Sequence, residues 1–120
     1  MKIEYKLIKP EEMNTYSSKN GFLLHNIKKI KKQGAIYLIY NNKNELLYVG
    51  ETSNFQSRLA SYKYTQCSCF GNYKEHGDEI IFKYFYIKNT TKRFRKGLES
   101  LYINKYKPKL MCQNYIGGGN

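Results

Sequence analysis

The stretch GAIYLIYNNKNELLYVG, residues 34–50, decides the fold of this chain. Its two halves are rich in β-branched and aromatic residues, which favour strands. Between them, residues 41–44 read Asn-Asn-Lys-Asn, and asparagine tolerates the positive φ of a tight turn and bonds its own backbone. Gly50 ends the second half. The stretch therefore predicts a β-hairpin, with Tyr37 on one strand and Tyr48 on the other.

One helix and one more strand are predicted next. Good N-cap residue types occupy 52–54, and apolar side chains follow with helical spacing at Phe55, Leu59 and Tyr62. Residues 79–88 are largely apolar and suit the centre of a sheet.

A second helix is predicted from about Thr91 to Tyr106, capped by Asn89 or Thr90 and stopped by Pro108. One face of this helix carries Phe94, Leu98, Leu101 and Tyr102. The predicted fold is of the α/β (α+β) class, a small and mostly antiparallel three-stranded sheet flanked by helices.

The net charge of the chain indicates the class of molecule that it binds. Its 120 residues form one domain, with 21 Lys and Arg against 9 Asp and Glu and a net charge of +12. Such an excess favours a polyanion, most commonly nucleic acid. An AT-rich genome offers another explanation for part of the lysine content. No stretch approaches the ~18 apolar residues of a membrane span, so no membrane partner is expected.

The cysteines and the N-terminus predict a cytoplasmic protein. Residues 1–5 contain no apolar signal-peptide core. The odd number of cysteines, Cys67, Cys69 and Cys112, indicates a reducing compartment. With His76 they provide four possible zinc ligands, but Cys-x-Cys is not the spacing of a zinc ribbon or knuckle.

Two tyrosines, an arginine and a glutamate can together form a site that cuts a phosphodiester, and this chain offers Tyr37, Tyr48, Arg58 and Glu99. Arginine can bond phosphate oxygens, and a carboxylate suits a hard cation. Glu99 stands among apolar residues of the second predicted helix, where an unpartnered carboxylate is costly to bury. Its partner is either a lysine of the same helix or a divalent metal, and both remain open here.

The order of these residues resembles the GIY-YIG nuclease superfamily, which includes homing endonucleases, some restriction enzymes and the incision subunit of bacterial nucleotide excision repair. The matching positions are Gly34 to Tyr37, Tyr48 to Gly50, Arg58, Tyr62, Glu99 to Pro108, and Asn114. The chain departs from the family pattern with an inserted Ala35, with Val49 for isoleucine, and with Glu51 where repair-type members have lysine.

The resemblance implies a metal-dependent DNA endonuclease with one Mg²⁺ or Mn²⁺ held by Glu99. Arg58 would stabilise the transition state and Tyr37 would act as general base, with Tyr48 positioning the water and Tyr62 holding the phosphate. Gly50, Lys63 and Asn114 would bind DNA or support the site. A phenol has a pKa of about 10, so Tyr37 needs that pKa lowered by Arg58, by Lys63 or by the metal. Lys63 is the alternative base.

The resemblance also divides the chain. Residues 1–33 are expected to be a basic N-terminal extension containing a strand or helix, which either forms a solvated face or contacts DNA. Residues 34–114 would be the catalytic domain and residues 115–120 a flexible tail. Alternatives are a non-catalytic nucleic-acid-binding module, or a catalytic subunit that needs a targeting partner or a second copy of itself.

Overall fold

The computed structural model describes residues 7–18, 26–62 and 79–109. The strands are β1 Asn14–Ser18, β2 Ala35–Tyr40, β3 Leu46–Thr52 and β4 Ile80–Tyr86. The helices of this part are α1 Phe55–Ser61 and α2 Lys92–Tyr106, with short 3-10 turns at Pro10–Glu12 and Ile27–Lys29. The strands form one antiparallel sheet in the order β1-β4-β2-β3, so β3 is an edge strand.

The prediction of three strands was wrong, because β1 adds a fourth. Its register with β4 runs from Asn14 opposite Tyr84 to Ser18 opposite Ile80. Four of the five β1 residues are exposed or only partly buried, so this strand lacks the apolar alternation by which a strand is recognised in a sequence. It lies inside the segment expected to be an extension.

The hairpin was predicted correctly in β2, and all six β2 residues are buried between β4 and β3. The Asn41 side chain accepts hydrogen bonds from the backbone of Lys43 at 3.0 Å and of Glu45 at 2.9 Å, which closes the turn. Gly50 does not end the second strand. It pairs with Tyr37, and β3 continues to Thr52.

The sheet has a hydrophobic cluster on each face. Phe55 and Leu59 of α1 pack with Tyr37 and Phe82 on one face. Tyr102 of α2 packs on the other face with Ile36, Leu38 and Val49. Alternation along β2 sends neighbouring side chains to opposite faces, which explains why Tyr37 faces α1 while Ile36 and Leu38 face α2.

Helix α1 agrees with the prediction. Its N-cap Asn54 accepts a hydrogen bond from the Ser57 backbone at 3.1 Å, and Phe55, Leu59 and Tyr62 are buried.

Helix α2 differs from its prediction in two respects. Its cap is Thr91, not Asn89 or Thr90. Its buried residues are Arg95, Glu99 and Tyr102, whereas Phe94 and Leu101 are 37% and 46% exposed. The face that meets the sheet therefore carries charges, which a search for an apolar face does not reveal.

Several predictions lie outside the described residues. These concern Lys63, Asn114, His76 and all three cysteines.

Candidate active site at the edge strand β3

Tyr37 lies at the centre of a cluster between β2, β3 and α1. Its side chain is fully buried, and its ring stacks on Phe55 with 5.4 Å between centroids. Its hydroxyl oxygen lies 2.8 Å from the Tyr62 hydroxyl and accepts a hydrogen bond from Arg58 Nη1 at 3.1 Å. The Tyr48 ring lies 6.3 Å from that of Tyr37. The structure thus brings together the three predicted tyrosines and the predicted arginine.

Gly50 lets the Tyr37 ring reach across the edge strand. The two residues are opposite each other in the β2–β3 ladder. A Cβ atom at Gly50 would overlap both Cζ and the hydroxyl oxygen of Tyr37. The absence of a side chain at Gly50 therefore makes the room in which the phenol lies.

Glu51 links the two faces of the sheet. Its carbonyl accepts a hydrogen bond from Arg58 Nη1 of α1 at 3.3 Å. On the α2 side, Lys96 Nζ lies 3.6 Å from Glu51 Oε1 and 3.6 Å from Glu99 Oε1. In an antiparallel edge strand, alternate residues point both backbone groups away from the neighbouring strand. The site is thus assembled along β3, an edge strand of the sheet.

Glu99 is a buried carboxylate, 6% exposed. Burial raises the pKa of Glu99, and Lys96 opposes that rise, while the charge of Glu51 adds to it. The charge of Glu99 also contributes to raising the pKa of Tyr37. The acid and the phenol therefore interact electrostatically, although they sit on elements that cover opposite faces of the sheet.

Burial dominates the ionisation of the tyrosines. It raises the pKa of Tyr37, and the Arg58 charge, the hydrogen bond shared with Tyr62 and the hydrogen bond from Arg58 only partly offset this. Burial and the nearby phenols raise the pKa of Tyr62 well above its usual value. The Tyr37 phenol consequently keeps its proton at neutral pH in the metal-free protein, so the lowering that the general-base hypothesis requires is not present without further positive charge.

Two charged residues near Glu99, Glu51 and Arg95, were not predicted as part of the site, and Lys96 was expected only as one of the lysines that could pair with Glu99. Arg95 Nε lies 3.0 Å from Glu51 Oε2, and Lys96 Nζ lies 3.6 Å from Glu51 Oε1 and 3.6 Å from Glu99 Oε1. One sequence signal was available for Arg95, which stands four residues before Glu99 and so shares its helix face. Glu51 was noted only as a departure from the family pattern.

The donor atoms at this edge fit a hard divalent cation. The two buried carboxylates supply oxygen ligands, which Mg²⁺ prefers, and Mg²⁺ usually retains several waters. Among the described residues there is no group of three or more His, Cys, Asp or Glu side chains placed to bind a metal. The cation would therefore be held by Glu99 and water, with Glu51 nearby.

A polar cleft lies beside the site. It has a volume of about 350 Å³, and its lining includes Lys32, Lys88 and Arg95. Arg95 joins the cleft to the site, because its Nη1 also bonds the Thr90 carbonyl at 2.7 Å while its Nε reaches Glu51. Two of the three cationic residues, Lys32 and Lys88, are exposed.

Comparison with known proteins supports a family assignment. Residues 33–114 match the family model described as the GIY-YIG catalytic domain. The fold matches the GIY-YIG N-terminal endonuclease domain of UvrC from Thermotoga maritima: one point mutant bound to its catalytic divalent cation is 24% identical, with a TM-score of 0.54, over 72% of this chain and 96% of that chain. The magnesium-bound form of the same domain is 24% identical with a TM-score of 0.53, over 72% and 97%.

Two further results are negative. A search among curated proteins finds no match. In the part of the chain that the structure describes, no helix has both the length and the apolar character needed to cross a membrane.

Proposed function

The chain belongs to the GIY-YIG family, and from that premise we propose that it is a DNA endonuclease that depends on a divalent cation. One observation carries the proposal. The Glu51 carbonyl accepts a hydrogen bond from Arg58, and the Glu51 side chain shares Lys96 with Glu99, so the arginine, the phenol and the carboxylate meet at one edge.

Glu99 is the proposed ligand of Mg²⁺ or Mn²⁺. When bound, the cation would polarise the phosphate and neutralise charge on the leaving oxygen. The structures of the UvrC endonuclease domain with a catalytic divalent cation, magnesium in one of them, support this assignment. Burial of Glu99 also supports it, because a carboxylate held out of water with a raised pKa is typical of functional sites.

Arg58 is the proposed phosphate contact. The guanidinium group of Arg58 makes two hydrogen bonds to described residues, and both use Nη1, on the Tyr37 hydroxyl and on the Glu51 carbonyl. The guanidinium group has five N–H donors in a planar fork, and those on Nε and Nη2 suit two phosphate oxygens. Its charge would stabilise the transition state of the displacement.

Tyr37 is the proposed general base, and its contact with Arg58 favours it over Tyr62. Arg58 donates a hydrogen bond to the Tyr37 hydroxyl, and its charge is the largest influence that lowers the pKa of Tyr37. At Tyr62 the neighbouring phenols raise the pKa by more than the Arg58 charge lowers it. If one phenol of the pair ionises, it is therefore Tyr37. The positive charge of a cation at Glu99 would lower the pKa of Tyr37 further. Tyr48, whose ring lies beside Tyr37, is proposed to position the attacking water.

DNA is the proposed substrate because of charge. The net charge of +12 and the exposed lysines of the cleft, Lys32 and Lys88, suit a polyanionic strand that runs past the site. Neutralising phosphates releases counterions, so affinity should fall steeply as salt rises. Replacing both cleft lysines with alanine should weaken binding and reduce that salt dependence.

Cleavage of supercoiled plasmid tests the proposal. Wild-type protein should nick or linearise the plasmid with Mg²⁺ and not with chelator, and Glu99→Ala and Arg58→Ala should not. Glu11→Ala, which removes an exposed carboxylate far from β3 in sequence, is the matched control and should cut normally.

DNA binding separates the alternatives. Glu99→Ala should still bind DNA, because it removes a negative charge from a basic protein. Normal cleavage by Glu99→Ala would refute the site. If the wild-type protein binds DNA but cuts it with none of the divalent cations tested, a non-catalytic binding module is favoured.

A further inference from the structure

Four charged side chains meet between α2 and β3, and the proposed reaction assigns a role to only one of them. Glu51 and Glu99 are 5% and 6% exposed and close enough that the charge of Glu51 raises the pKa of Glu99. Arg95 and Lys96 supply two positive charges against these two negative charges. The cluster is therefore neutral in the metal-free protein.

The two cations are held in different ways. Arg95 is 8% exposed, donates to Glu51 at 3.0 Å and is anchored at Thr90 by two further hydrogen bonds, at 2.7 and 3.1 Å. The Lys96 side chain is 32% exposed, and its ammonium lies 3.6 Å from each carboxylate, beyond the usual length of a hydrogen bond. Arg95 is thus held by three hydrogen bonds, whereas Lys96 is more exposed and contacts the two carboxylates only through longer ion pairs.

We infer that the Lys96 ammonium acts as an internal counter-ion of the metal site. In the metal-free protein it bridges the two carboxylates, and it competes with the divalent cation for Glu99. This inference rests on the proposed metal site at Glu99. Lys96 supplies a counter-charge to Glu99 in the metal-free protein, and its presence weakens metal binding.

The net charge of the cluster determines how strongly Lys96 should change the affinity for a divalent cation. A divalent cation adds two charges to a neutral cluster, and removing the Lys96 charge leaves one net negative charge to receive it. Even at the dielectric constant of water, a single and a double charge about 6 Å apart repel enough to change a binding constant about tenfold. The competition should therefore be measurable without DNA.

Mn²⁺ binding, followed by electron paramagnetic resonance of the free ion, tests this in the full chain without DNA. Lys96→Met should bind Mn²⁺ about tenfold more tightly than wild type. Lys92→Met is the matched control, since it removes the same charge from an exposed position of the same helix, and its affinity should change less than twofold. Lys96→Arg keeps the charge and should keep the weaker, wild-type affinity.

The outcomes separate this inference from the proposed function. Glu99→Ala should lose the tight Mn²⁺ site, and if it does not, the proposed metal site is wrong. If Glu99→Ala loses the site but Lys96→Met binds no more tightly than Lys92→Met, only the competition is refuted. Circular dichroism of each variant establishes that it is folded, and Lys96→Gln serves as a second neutral variant that must show the same gain.

Discussion

At the scale of single residues, the Tyr37 hydroxyl is the atom on which most of the site depends. The sequence places Tyr37 on a strand and Arg58 on the following helix, and the structure brings the two into hydrogen-bond contact. The complete burial of Tyr37 could not be predicted from the sequence. It depends on packing against Phe55, which folding brings next to Tyr37. Burial reverses the direction of the pKa change that a neighbouring arginine alone would cause.

Tyr37→Phe tests the role of this hydroxyl. The ring and its stacking on Phe55 remain, so the fold should survive with a loss of about 1 kcal/mol from the missing hydrogen bonds. Cleavage of plasmid should fall about a hundredfold or more, since general acid–base catalysis typically contributes that much. Tyr16→Phe, on the opposite edge strand, is the control and should cut at the wild-type rate. Full activity in Tyr37→Phe would exclude the phenol as the base.

Two glycine substitutions test the packing of the phenol. Gly50→Ala forces the new methyl group against the Tyr37 ring, and overpacking of this kind costs about 1–3 kcal/mol. Gly97→Ala is the control, because a Cβ at this α2 position meets no atom of the described residues within 4 Å. It should stabilise the protein by about 0.5–1 kcal/mol through helix propensity. Urea unfolding measures both, and equal stability of the two variants would contradict the packing described here.

At the scale of elements, hydrophobic pattern and turn chemistry predicted β2, α1, β4 and the extent of α2 within a few residues. They failed for the segments whose structure depends on tertiary contacts. Strand β1 is polar and is stabilised by its pairing with β4. Strand β3 continues past Gly50 because its pairing with β2 continues. The predicted apolar face of α2 was half right: Tyr102 is buried and Leu98 packs against the core, whereas Phe94 and Leu101 are exposed. The burial of Arg95 through its ion pair with Glu51 was missed.

Arg95→Met tests the link between α2 and β3. It leaves Glu51 buried without its closest partner, and breaking a buried pair from one side costs about 3 kcal/mol or more. Arg93→Met removes the same charge from an exposed position two residues earlier on the helix and should change stability by less than about 0.5 kcal/mol. Chemical denaturation of both variants is the measurement. A small loss for Arg95→Met would show that Lys96 alone satisfies Glu51.

At the scale of the whole molecule, buried phenols predict how stability depends on pH. Burial raises the pKa of Tyr37 and Tyr62, and of Tyr84 and Tyr102 to about 12. Above about pH 10 the unfolded chain loses phenolic protons that the folded protein keeps, so the free energy of unfolding should fall as the pH rises from about 10 to about 12. Each fully buried tyrosine contributes about 1.4 kcal/mol per pH unit to this fall.

Urea unfolding at pH 8 to 11 measures the decline. Tyr62→Phe should show a shallower slope than wild type, because one raised pKa is removed. Stability that stays constant up to pH 11 would contradict the burial of these hydroxyl groups.

The central claim is that a cation at Glu99 and the Tyr37 phenol belong to one site, although their elements cover opposite faces of the sheet. Nuclear magnetic resonance of ring-labelled tyrosines during titration with paramagnetic Mn²⁺ tests it most directly. The signals of Tyr37, Tyr48 and Tyr62 should broaden far more than that of Tyr16, and the broadening should be absent in Glu99→Gln. Equal broadening of all four signals, or the same selective broadening in Glu99→Gln, would contradict the claim.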